Sequence, residues 1–216
     1  MPASTAPRLL DGEARGALAR ARDLPVDELL ELIEKSNLRG RGGAGYPFVD
    51  KVRAVRRNAD GGAVYLIANA YDADPGSLIS RTLLTRNAAN VLTGIAIAAR
   101  AAGATQAYLY LHPEAVEGRA AAERAMSEDL GVDIEIALGP GGFMGGEESA
   151  LLAVLESRRA MARQRPPFPA SQGLRMRPTL IASAETLAWL PLIVRADARV
   201  DEARLGDRGR HQAWRV

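Results

Sequence analysis

Four glycines, Gly40, Gly42, Gly43 and Gly45, are packed into one short stretch, followed by Tyr46, Pro47 and, four positions further on, Lys51. Residues of these types suit a bound phosphate. Glycine lets backbone N–H groups close around an anion without side-chain interference, and lysine adds a compact positive charge. The run fits the Gly-x-Gly-x-x-Gly spacing of dinucleotide sites, which carries weight only directly after a strand and before a helix. Here the preceding segment, Pro25 to Ser36, has a helical pattern, and the first apolar strand-like run, Val64 to Ala68, comes later. On spacing alone an anion-binding loop and a plain flexible loop are both open.

Three other groups of polar residues stand at similar punctuation points. Asn69 follows the apolar run and leads into Tyr71, Asp72 and Asp74 before Pro75, which by itself reads as a turn with an Asx cap. Gly145 and Gly146 precede Glu147 and Glu148, carboxylates that a helix N-terminus favours whether or not they have a function. Arg165 and Phe168 flank two prolines. His112 and His211 have no metal-ligand spacing, so no metal site is expected.

The elements that must position these residues follow from periodicity. Pro25 opens a helix with Leu29, Leu30, Leu32 and Ile33 on an apolar face, and Asp50 to Arg57 adds a short one. Val64 to Ala68 reads as a strand buried on both faces, followed by a helix from Ser77 or Thr85 to about Ala102 with Gly103 at its end. Ala107 to Leu111 is a second strand, Pro113 to about Leu130 a helix, Val132 to Leu138 a third strand, and Glu147 to about Arg158 a further helix. Strand and helix alternating in this way predict an α/β fold, a three-layer α/β/α domain around a mainly parallel sheet. Gln164 to Pro178 is expected to be extended, and Thr179 to Val194 a turn followed by a short helix.

Taken together, Leu38–Pro47, Asn69–Gly76, Gly145–Leu151, Arg165–Ala170 and Ala184–Leu187 resemble, in the same order, five segments of one family. It is the NADH-binding flavoprotein subunit of respiratory complex I and the diaphorase subunits of NAD-linked hydrogenases and formate dehydrogenases. The resemblance runs from about Pro25 to Val194 and covers only the family's flavin-binding portion. It implies a Rossmann-like domain that binds flavin mononucleotide (FMN), takes a hydride from NADH or NADPH and passes electrons to an external acceptor. It further implies that Gly40, Gly42, Gly43, Gly45, Lys51, Asn69, Tyr71, Asp72, Gly146, Glu147 and Ser183 contact or line the flavin site. Tyr46, Asp74, Glu148, Arg165 and Phe168 would serve the nicotinamide nucleotide. No protein acid or base is required for the hydride step, in which Glu148 would have a positioning role.

Several positions depart from the family pattern. Tyr71 stands for an acidic residue, Asp72 and Asp74 for glutamates, Ala73 for a glycine, Gly145 for a cysteine and Arg165 for a lysine. Ala54 stands for an aromatic, and Ala182 and Ser183 for asparagines. These departures support an alternative, a degenerate member acting as a non-catalytic assembly or regulatory module.

Composition bounds both readings. The 216 residues, 47% of them hydrophobic, suffice for a real core. With no cysteine the chain has no disulfide and no cysteine-ligated iron–sulfur cluster, so a redox partner protein is expected, with association with a membrane-bound electron-transfer complex. Of 28 basic residues all but Lys35 and Lys51 are arginine, but the net charge is only +2 and the signs are mixed, which argues against nucleic acid. No apolar stretch is long enough to span a bilayer and no signal pattern opens the chain, so a cytoplasmic protein is expected. The expected organisation is an N-terminal arm and short helix over 1–24, the FMN-binding domain over 25–195, and a disordered or truncated tail over 196–216.

Overall fold

The computed structural model describes residues 9–10, 16–126 and 129–196. The expected N-terminal arm therefore lies outside the described residues up to position 8 and over 11–15, as does the expected tail from 197 onward. Leu9 is described and is buried in the core, with Asn87 Nδ2 donating to its carbonyl at 3.0 Å.

Helices α1 (Ala17–Asp23), α2 (Val26–Lys35) and α3 (Phe48–Asn58) precede the first strand, β1 (Tyr65–Ala70). Then follow α4 (Ile79–Ala102), β2 (Gln106–Leu111), α5 (Val116–Ala125), β3 (Asp133–Leu138), a 3-10 turn over Phe143–Gly146 and α6 (Glu148–Leu155). The chain continues through α7 (Pro169–Gln172), a 3-10 turn over Leu174–Met176, β4 (Thr179–Ser183), α8 (Ala184–Ala188) and α9 (Leu190–Arg195). The described strands form one sheet in the order β3-β2-β1-β4, and every pairing is parallel.

Four expectations need correction. Thr179–Ser183 is a strand beside β1 rather than a turn, and the segment before it contains α7 and a 3-10 turn instead of running extended. Helix α5 stops at Ala125, short of Leu130, and α6 stops at Leu155, short of Arg158, where Ser157 turns into the left-handed region with φ 58°.

Parallel strands joined by right-handed crossovers dictate which helix covers which face. The steps β1 to β2 and β2 to β3 move in one direction, so α4 and α5 share a face; the return from β3 to β4 runs the other way and puts α6 on the opposite one. The core reflects this. Leu66, Ala68, Leu109 and Leu180 pack with Val91, Leu92 and Ile95 of α4 in one cluster. Tyr65, Ile67, Tyr108, Tyr110 and Ile181 pack with Leu151 and Leu152 of α6 in another. The two faces are unequal, because α1, α2, α3, α8 and α9 all contribute to the α4 side.

Candidate functional site at the strand switch point

Strand β1 has neighbours reached by crossovers of opposite direction, β2 on one side and β4 on the other. Such a reversal leaves a crevice beyond the carboxyl ends of the strands, where open α/β sheets gather ligands. Asn69 and Ser183 are register partners at that end of β1 and β4. A cleft of about 330 Å3 opens above them, lined by Gly40, Gly42, Gly45, Tyr46, Lys51, Asn69, Gly146, Glu147, Glu148, Arg165 and Ser183. Its size lies in the range of small-molecule sites. A second cavity of about 150 Å3 shares Arg41, Asn69, Gly146 and Ser183 with it and adds Tyr71, Asp72 and Glu185.

The glycine loop is closed at its base like a small hairpin. Arg39 bridges Pro47, Gly40 N–H donates to Tyr46 O at 2.8 Å, and Phe48 N–H donates to Leu38 O at 2.9 Å. The loop thus leads into α3 but follows an isolated bridge rather than a sheet strand, which separates it from a dinucleotide-type strand–loop–helix. Gly43 (φ 113°) and Gly45 (φ 61°) hold conformations that L side chains rarely adopt. A Cβ at Gly42, Gly43 or Gly45 would meet no protein atom within 4 Å, so the loop presents bare backbone with room for a ligand to approach. At its tip the Arg41 N–H donates to Thr186 Oγ1 at 2.9 Å, and Thr186 Oγ1 lies 2.8 Å from Ser183 Oγ. The loop is thereby tied to the end of β4.

Opposite the loop runs a chain of alternating charges. Lys51 Nζ, on α3, donates to Glu148 Oε1 at 2.7 Å and to the Ile181 carbonyl at 2.8 Å. The other oxygen of Glu148 is 3.6 Å from Arg165 Nη1, and Arg165 also pairs with Glu147. Glu147 is the N-cap of α6, accepting from the amides of Ser149 and Ala150, each at 2.8 Å. Partial burial resists its ionisation, but the Ser149 hydroxyl, those two amides and Arg165 together hold the carboxyl below its ordinary value. The helix-start reading of Glu147 therefore holds in full, while Glu148 faces the cleft through its pairing with Lys51.

Asn69 Nδ2 donates to Gly146 O at 2.9 Å and its Oδ1 accepts from Tyr71 N–H at 3.2 Å, which leaves one N–H and further acceptor capacity for a ligand. Tyr71 is 1% exposed, with its ring stacked on Tyr110 at 5.3 Å and edge-on to His112 at 4.9 Å. Its hydroxyl makes no hydrogen bond of good geometry. Burial pushes its pKa up, against a smaller opposing pull from the Gly141 amide. Gly145 and Gly139 wrap this ring so closely that a methyl group at either would overlap it.

Asp72 lines the smaller cavity and also caps α4, its carboxylate accepting the Ser80 and Arg81 amides, each at 3.0 Å. Asp74 is exposed, closes an Asx turn onto Gly76 at 2.9 Å and lines neither cavity. Phe168 is 58% exposed and is also absent from both linings, although it caps α7, which packs beside β4. Tyr46, 55% exposed, stands in the cleft wall.

The structure therefore brings together the glycine loop, Lys51, Asn69, Gly146, Glu147, Glu148, Arg165, Tyr46 and Ser183. It leaves Asp74 and Phe168 outside. Sequence reasoning passed over Arg41, Glu185 and Thr186, which join the loop to the β4–α8 corner. Arg41 was hidden among glycines, and Glu185 was legible only as part of a turn.

A family model described as the Nuo51 FMN-binding domain matches residues 33–191. The chain belongs to that family. An NADH-quinone oxidoreductase subunit of Rhizobium meliloti (strain 1021) is 41% identical over 182 residues, covering 78% of this chain and 43% of the relative. The corresponding NADH-quinone oxidoreductase subunit of Aquifex aeolicus is 36% identical over 192 residues, covering 82% of this chain and 45% of the relative. Among solved structures, the NAD+-reducing [NiFe]-hydrogenase in its H2-reduced state matches with a TM-score of 0.79 and 39% identity over 88% of this chain and 34% of that one. The chain spans less than half the length of the curated relatives it matches.

The group the family name implies is FMN, and the residues present fit it. The open glycine backbone, the unfilled hydrogen-bonding capacity of Asn69 and the Lys51 ammonium converge on one cleft of suitable size. The chain contributes no cysteine, so it ligates no iron–sulfur cluster through thiolate. Among the described residues no helix is long and apolar enough to cross a membrane.

Proposed function

We propose that this chain binds FMN in the cleft above β1 and β4, admits NADH or NADPH at the cleft rim, and passes electrons to an acceptor held by a partner protein. The observation that carries the reading is the convergence of bare glycine backbone, Lys51, Asn69 and Ser183 at the switch point of the sheet. FMN, when bound, supplies the ring system that takes up a hydride and releases electrons. The protein supplies placement. Gly42, Gly43 and Gly45 offer main-chain amides to the flavin, Asn69 and Ser183 hydrogen-bond it from the strand ends, and Lys51, held by Glu148, places a positive charge beside it. Glu148, Arg165 and Tyr46 form the rim that orients the dinucleotide. The neutral pairing of Lys51, Glu148, Arg165 and Glu147 keeps the rim from strongly repelling an anionic dinucleotide. Partners follow the same reasoning: relatives named as subunits of an NADH-quinone oxidoreductase support a redox partner protein.

A second reading, a family member that binds flavin without turnover, is favoured by Asp74 and Phe168 standing outside the cleft. Anaerobic titration of the FMN-loaded protein with NADH and with NADPH separates the two. The first reading expects the visible absorbance of the flavin to bleach with one of the dinucleotides. Bound flavin that stays oxidised with both would reject it in favour of the second.

A further inference from the structure

The glycine loop is flexible by composition yet has one long side chain, Arg41, between Gly40 and Gly45. That side chain is only 19% exposed, although Gly42, Gly43 and Ala44 around it are exposed. Its Nη1 lies 3.5 Å from Glu185 Oε1, and its guanidinium carbon sits 5.4 Å from the centroid of the Trp189 ring. Together with the Arg41 amide on Thr186, the loop is fastened to the β4–α8 corner by charge, by stacking and by backbone. Resting on the reading that the cleft holds FMN, we propose that the Arg41–Glu185 pair is a positioning device that fixes the glycine loop for FMN and makes the affinity for FMN depend on pH.

Two features support this. A loop rich in glycine loses much conformational freedom when it closes on a ligand, and fixing it beforehand removes that cost from binding. Glu185 lines the smaller cavity and not the main cleft, whereas Arg41 lines both, so the pair links the loop wall of the cleft to the interior behind it. The second feature is the carboxylate itself. The Glu185 side chain is 9% exposed. Burial pushes its pKa up, Arg41 on the loop pulls it down, and Asp72 on the β1–α4 connection pushes it up again. Those are the charged groups that act on it among the described residues. A buried carboxylate that remains hard to ionise beside an arginine is a poor stabiliser of the fold, and such groups gather where function requires them. The sign follows from the direction of the shift. Ionised Glu185 holds Arg41; as pH falls through the raised pKa it takes a proton, the ionic contact is lost, and the loop loosens. Affinity for FMN therefore falls on acidification, beginning above the ordinary carboxylate range.

The test is the FMN dissociation constant, read from quenching of flavin fluorescence between about pH 5 and pH 8. It is measured for the wild-type chain, Glu185→Gln, Arg41→Ala and the double variant, with the thermal midpoint of each recorded without FMN. The wild-type chain is expected to bind more weakly as pH falls. Each single variant is expected to bind about tenfold more weakly at neutral pH with a flattened pH profile, and the double variant no worse than either single. If Glu185→Gln fails to fold, Arg41→Ala carries the test, its thermal midpoint without FMN showing that it is folded. Variants that keep wild-type affinity and wild-type pH dependence would overturn the proposal. A wild-type chain that binds FMN with a flat profile overturns it alone, whereas a folded wild-type chain that binds no FMN overturns the flavin reading with it.

Discussion

Tyr71 shows how far a single residue can be read in isolation. From the sequence it is a polar aromatic in a ligand-bearing loop; in the fold it is a buried ring whose hydroxyl finds no partner of good geometry, enclosed by Gly139 and Gly145. A buried hydroxyl without a hydrogen bond costs about 1 to 3 kcal/mol. Tyr71→Phe is therefore expected to raise the thermal midpoint, whereas Gly145→Ala, which drives a methyl group into the ring, is expected to lower stability by about 1 to 3 kcal/mol. Thermal unfolding of the two variants checks the pair of signs, and a destabilised Tyr71→Phe would mean that the hydroxyl has a partner in solution. The same contact explains why a glycine stands at 145. Any side chain there competes with Tyr71 for space, and that coupling could not be seen from two positions 74 residues apart in the chain.

At the scale of elements, α4 illustrates what pattern reading captures and what it misses. Its apolar positions and the Gly103 stop were legible, and so were β1, which is buried on both faces and reads as an apolar run, the tyrosine-rich β2, and the half-exposed edge strand β3 after Gly131. Its N-terminal cap was not. Leu78 precedes the helix without a capping side chain, and the orphan amides of Ser80 and Arg81 are met instead by Asp72, which reaches in from the strand end. Asp72→Ala is expected to cost about 1 kcal/mol, with a corresponding fall in the urea midpoint and no change in slope. An unchanged midpoint would return Asp72 to the ligand contacts. Strand β4 escaped for a different reason: it is five residues long, follows Pro178 and runs directly into α8, so its apolar run merged with the helical pattern after it. Missing β4 concealed the switch point, since only the pairing of β4 with β1 creates the crevice between Asn69 and Ser183.

For the whole molecule, order of connection decides where chemistry can occur. Two crossovers in one direction and one return place α6 and its paired glutamates on one side of the crevice, while α3 and the glycine loop close the other. The cleft is assembled by this arrangement, and many of the residues that line it were conspicuous in the sequence because glycine runs and paired carboxylates stand out there. The loop-anchoring residues were not, because their role depends on a contact between positions 41 and 185 that only the fold creates. Bare backbone at the loop meeting FMN is the contact on which the flavin assignment turns. Gly42 isolates it, because its φ is not positive and a Cβ there meets no protein atom within 4 Å, so the fold itself tolerates a side chain. The most direct measurement is an equilibrium FMN titration of the wild-type chain and of Gly42→Val. Saturable binding by the wild-type chain, lost or weakened at least about tenfold in a variant with an unchanged thermal midpoint, is the predicted result. Equal FMN affinity in the two proteins would contradict it.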